Sequence, residues 1–72
     1  MSKATCVVVD GPYPVTNHDF DEIPEWVVFM ADDEGEEAGK VYTVRNWHKA
    51  LDLGAKIAKD RKLDLVVDGG PA

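Results

Sequence analysis

Only one segment of this chain carries a helical period, and that limits the fold more than any other feature. Trp47, Ala50, Leu51, Gly54, Ile57 and Ala58 recur at spacings of three and four, so a helix here gathers them on one apolar stripe. Asn46 stands in front of the stripe as an N-cap, and Lys59, Arg61 and Lys62 close it with cations suited to a helix C-terminus. Lys49, Asp52, Lys56, Lys59 and Asp60 fall on the opposite side, with Asp52 and Lys56 forming a favourable i,i+4 pair. Gly54 interrupts the helix at a cost of up to about 1 kcal/mol relative to alanine, which points to close approach between this helix and whatever it packs on.

The remaining apolar segments read as strands. Ala4 to Val9 is rich in valine and ends at Asp10, Gly11 and Pro12, a turn signal. Asp10 to Pro24 holds Pro12, Pro14 and Pro24 with Asn17, His18 and Asp19 among them, and is expected to be a long loop. Glu25 to Ala31 is apolar at nearly every position, as in a central strand, and Asp32 to Gly39 reads as a turn. Lys40 to Arg45 alternates and completes an antiparallel hairpin with an acidic tip. Leu63 to Val67 is a last strand, stopped by Asp68, Gly69, Gly70 and Pro71.

The expected order is β-β-β-α-β, an α+β fold in which one helix lies on one face of a small, mostly antiparallel sheet. Residues 1–72 are expected to form a single small domain. If the strands flanking the helix lie parallel in one sheet, their crossover should be right-handed, with Trp47, Leu51 and Ile57 toward the sheet. Over residues 25–70, Tyr42-Thr43-Val44, the helix with Ala50, Ala55, Ile57 and Ala58, and Leu65-Val66-Val67-Asp68-Gly69-Gly70 resemble small bacterial ββαβ domains of unknown function. That resemblance implies a fold and no chemistry.

Cys6 is the only cysteine, so no intramolecular disulfide can form, and with two histidines it does not complete a zinc site of the usual Cys/His kind. It is expected to be a buried small hydrophobe in a reducing compartment. The longest apolar run, Trp26 to Ala31, is far short of the roughly 20 residues a membrane helix needs. The Met1-Ser2-Lys3 start has no apolar core of a secretory signal, so the expectation is a cytosolic protein.

Charge is strongly segregated. Residues 1–37 hold ten acids against Lys3, a net of −9, whereas residues 38–72 hold seven bases against four acids, a net of +3; together they give −6. A net of −6 argues against direct nucleic-acid binding and against an anionic membrane surface. Asp19, Asp21 and Glu22, with Asp32, Asp33, Glu34, Glu36 and Glu37, are the candidate partner-binding residues, as a docking face for a basic surface or as carboxylates that imitate phosphates. The acidic run fails the EF-hand pattern, because the position six residues after Gly35 is Val41 rather than glutamate.

Arg45, His48 and Lys49 surround the helix start, where acids are usual, and make a candidate anion site together with the free backbone N–H groups. An acidic side chain from the first half docking there is the competing expectation. His18 and His48 have no nucleophile at recognisable spacing, and the sequence carries no phosphate loop, paired-carboxylate or G-x-S-x-G motif, so no residue is assigned a catalytic role, no cofactor is expected and the chain is not expected to be an enzyme. Trp26, Phe29, Tyr42 and Trp47 are expected in the core rather than on a stacking platform. One helix covers one sheet face, so the second apolar side of strand 26–31 needs a homodimer or another protein.

These features suit a small acidic interaction module, an adaptor or inhibitor of the kind bacteria and phages encode, with no activity of its own. A nucleic-acid mimic that fills a basic cleft and a small-anion binder at the helix start are the alternatives.

Overall fold

A computed structural model describes residues 3–72. The elements run β1 (Cys6–Thr16), β2 (Glu22–Ala31), β3 (Glu37–Val44), α1 (Trp47–Arg61) and β4 (Asp64–Val67), which is the expected β-β-β-α-β order. One four-stranded sheet has the spatial order β3-β2-β1-β4. β2 is antiparallel to both β1 and β3, while β4 runs parallel to β1, so the sheet is mixed. β3 and β4 therefore point the same way, and α1 connects them across the two central strands.

Pairing register fixes the faces, because residues directly opposite one another share a side of the sheet. Val7 pairs with Met30 and Leu65, Val9 with Val28 and Val67, and Val28 and Trp26 with Tyr42 and Val44; this is the helix side. Val7, Val9, Trp26 and Val28 are buried there with Ala50 and Ala58, and Trp47, Leu51, Leu53 and Ile57 pack against them. The close approach expected at Gly54 is present: a Cβ at that position would lie 2.5 Å from Val9 Cγ2. Asn46 caps α1 by accepting the Lys49 N–H, and Lys62 ends it in the left-handed region at φ 56°.

The expected loop from Asp10 to Pro24 is instead mostly strand. β1 continues to Thr16 and β2 already begins at Glu22, with Tyr13 opposite Glu25, Pro14 opposite Pro24 and Val15 opposite Ile23. Three prolines fit because β4 reaches only as far as Val9 and β3 only as far as Trp26, so beyond those residues no further strand pairs with the ribbon, and only the C-terminal tail lies against it, with Gly70 N–H donating to Gly11 O. A proline in such an edge loses no ladder hydrogen bond if its missing N–H faces outward. Residues beyond the register shift between Asp10 and Tyr13 thus form a two-stranded arm that leaves the body of the sheet. The molecule measures 40 × 23 × 16 Å, elongated as an arm requires.

Neither edge of the sheet invites another strand. β3 carries a register irregularity opposite Phe29 and Ala31, where Gly39 takes φ +152°, and β4 is four residues long between Asp64 and Asp68. Bulges, short edges and flanking charges are ways of blunting edge-to-edge pairing.

Candidate functional site

The side of the sheet away from α1 has no cover among the described residues. Val66, Val8, Phe29 and Val41 stand opposite one another in a single row across all four strands. Val41 is 39% exposed and Val66 42%, with Val8 and Phe29 half-buried between them. Val27 and Thr43 make the next row with Asp10, and Cys6 lies beside Asp64 and Ala31. Cys6 is therefore half-buried on the open face rather than enclosed in the core. Along the arm the same side continues through Tyr13 and Glu25 to Val15 and Ile23.

Every charged residue at a paired position of this face is acidic: Asp10, Glu25, Glu37 and Asp64. The exposed cations Lys49, Lys56, Lys59 and Arg61 belong to α1, on the other side of the sheet. At the base of the arm the Tyr13 hydroxyl donates to an Asp10 carboxylate oxygen, whose other oxygen accepts the Gly11 N–H. That hydrogen bond to Asp10, then desolvation and the negative charges of Asp10 and Asp68, hold the Tyr13 phenol above its usual pKa.

The candidate acidic residues are not brought together. Asp19, Asp21 and Glu22 are at the β1–β2 loop, whereas Asp33, Glu34, Glu36 and Glu37 are at the β2–β3 loop, at the other end of β2. At about 3.3 Å per residue those ends are roughly 30 Å apart. A single acidic docking face formed from both patches is therefore not what the fold provides. Asp32 is turned inward, at 4% exposed, and organises its loop: its Oδ1 accepts the N–H of Glu34 and Glu36.

The two loops share one hydrogen-bond design. Asn17 Oδ1 accepts the N–H of Asp19 and Asp21, as Asp32 Oδ1 does for the corresponding residues. Asn17 N–H donates to Asp21 O and Phe20 N–H to Asn17 O; Asp32 N–H donates to Glu36 O and Gly35 N–H to Asp32 O. The fourth residue of each loop is left-handed, Phe20 at φ 65° and Gly35 at φ 83°. Replacing Asp32 by alanine strands two backbone donors beside a buried position and is expected to cost about 1–3 kcal/mol. Asn17→Ala, on an exposed loop where water substitutes, is expected to cost less; chemical denaturation of the two variants compares them, and equal losses would show that burial does not govern the difference.

Arg45, His48 and Lys49 are exposed around the Asn46 cap. No acidic side chain among the described residues docks on them, and the expected compensation from the first half of the chain does not occur. Of the aromatic residues, Trp26, Tyr42 and Trp47 are on the helix side as expected, with Trp26 and Trp47 ring centroids 6.1 Å apart, whereas Phe29 lies on the open face. His18 is paired with its neighbour Asp19 at 3.6 Å. Among the described residues no group of three His, Cys, Asp or Glu is placed to hold a metal ion, and no helix is long and apolar enough to cross a membrane.

Sequence reasoning missed the arm, Phe20 and the inward turn of Asp32, and placed Cys6 and Phe29 in the core. The signal for Phe20 was available: Asn17-x-x-Phe20 and Asp32-x-x-Gly35 are equivalent four-residue patterns, one of which lacks its glycine. No family model matches the chain, and no curated protein or solved structure matches it either.

Proposed function

We propose that this chain is a small protein-interaction module, an adaptor or inhibitor with no chemistry of its own, and that its contact surface is the helix-free face of the sheet. The observation that carries this reading is the apolar row Val66, Val8, Phe29 and Val41, on a face whose charged residues at paired positions are all acidic. Apolar rows of this kind normally lie under a second layer, and a face with no layer of its own is a place for another protein. The charge pattern selects the partner: a protein whose surface is apolar at the centre and basic around it. A second copy would bring together two faces whose charged residues at paired positions are all acidic.

Light scattering on the purified chain at 50 mM and 500 mM salt, alone and with its captured partner, tests this reading against Val41→Lys/Val66→Lys, a variant altered only at exposed positions. A monomer is expected. Its complex should associate more slowly in high salt yet keep its residence time, and the double variant should lose the complex without losing its fold. A salt-insensitive dimer would put a second copy on the face. Affinity that falls steeply with salt and ignores the double variant would favour the nucleic-acid mimic, and binding abolished by Arg45→Ala/Lys49→Ala would favour the anion binder.

A further inference from the structure

We infer that Phe20 is the anchor of a docking tip, an aromatic side chain that the arm carries outward to be buried in an apolar pocket with a cationic rim on another protein. Phe20 is 87% exposed, the most exposed of the large apolar side chains among the described residues. It also occupies a left-handed backbone position, which a side chain with a Cβ takes at a cost and which the equivalent loop fills with Gly35. Phenylalanine at this position thus breaks two rules at once, one of backbone conformation and one of solvation, and neither breach contributes to the fold. Residues held against both preferences occur where surroundings outside the chain reward them.

Presentation and charge agree. The arm from Tyr13 to Glu25 is a ribbon to which no third strand is paired, and Phe20 is at its turn, away from the sheet body. Asn17 ties down the backbone of that turn with two side-chain acceptor bonds, so less backbone ordering entropy is lost on docking. Aromatic side chains are enriched at the buried centres of interfaces. Asp19, Asp21 and Glu22 flank Phe20 along the chain, and there is no Lys or Arg between Lys3 and Lys40, so the matching pocket is basic at its rim. The same acids oppose insertion into an anionic lipid surface. This inference rests on the interaction-module reading and gives that module a second, independent contact.

The probe is the full chain carrying the photo-crosslinking residue p-benzoylphenylalanine at position 20, or in a second version at position 41, irradiated in cells of the source organism. The cross-linked protein is then identified, purified and titrated. Position 20 is expected to trap one protein. Phe20→Ala should weaken its binding by about 30-fold, the loss typical of a hot-spot residue, while Phe20→Trp stays within a few-fold. Phe20→Gly should lose binding equally with no fall in melting temperature, which separates docking from folding. A partner trapped only from position 41, with affinity unchanged by Phe20→Ala, would overturn the anchor and leave the sheet-face reading standing. No protein trapped from either position would overturn both. Phe20-dependent binding to phosphatidylcholine vesicles without a protein cross-link would overturn it in favour of lipid, and association rates unchanged by Asp19→Asn/Asp21→Asn would overturn the basic rim.

Discussion

Alanine at position 54 destabilises this protein even though alanine is the better helix former. The helix term favours the substitution by up to about 1 kcal/mol. Against it, the new Cβ would lie 2.5 Å from Val9 Cγ2 and 3.2 Å from Leu65 Cδ1, with Val28 Cγ1 at 3.8 Å. Val9 and Val28 are fully buried in the two central strands, so neither can swing away, and relief comes only by moving α1 off the sheet. Overpacking of this kind costs about 1–3 kcal/mol, so the net loss is about 1–2 kcal/mol, a fall of roughly 5–15 °C in melting temperature for a domain of this size. Gly54→Val adds two methyl groups to the same contact and a β-branched residue to the helix, and is expected to lower the melting temperature further than Gly54→Ala does. Circular dichroism during thermal and urea unfolding measures both. A Gly54→Ala variant more stable than the parent would mean that helix and sheet can separate without loss.

The position of Gly54 illustrates what was readable beforehand. A glycine within an otherwise regular apolar stripe has no local justification, so its reason had to be tertiary, and the structure supplies it in Val9. The Asn46 cap and the strands built on valine were legible for the same reason: local chemistry and tertiary role agree there. The arm was not, because Pro12, Pro14 and Pro24 signal a loop in any segment flanked on both sides. They are compatible with strand only where β3 and β4 have stopped, and that depends on the lengths of distant elements. Asp32 was likewise indistinguishable by sequence from its neighbour Asp33, since what separates them is which carboxylate turns in to accept Glu34 and Glu36. The open face was predictable by counting helices, whereas the uniform sign of the charges on it required the register.

The largest single loss is expected from Trp26→Ala. Trp26 is 3% exposed and stands where three parts of the chain meet. Its indole N–H donates to Gly70 O at 2.8 Å, a bond spanning 44 residues of sequence, and its ring packs beside Trp47 at the first turn of α1. The third part is the bulge of β1: a Cβ on Gly11 would come within 2.8 Å of Trp26 Cδ1, and Gly70 N–H donates to Gly11 O. Truncating a buried tryptophan costs about 3–5 kcal/mol. A chain of 72 residues at about 0.05–0.15 kcal/mol per residue has roughly 4–11 kcal/mol in all, so the variant sits near or at the unfolding threshold. Trp26→Phe keeps an aromatic ring but removes the donor and part of the indole volume, leaving Gly70 O short of a partner and a small void, at a cost of about 1–3 kcal/mol. Urea unfolding followed by Trp47 fluorescence gives both values, and hydrogen exchange locates the loss. The Asp68 and Gly70 amides, which donate to Val9 O and Gly11 O, should exchange faster in Trp26→Phe while the Val28 strand keeps its protection. Uniform acceleration throughout the sheet would show instead that the tail is not a separate unit. Because Gly11 begins the bulge from which the arm departs, loosening this junction also loosens the base of the arm. Trp26→Phe should therefore weaken any contact made through Phe20 while leaving binding at Val41 and Val66 unchanged.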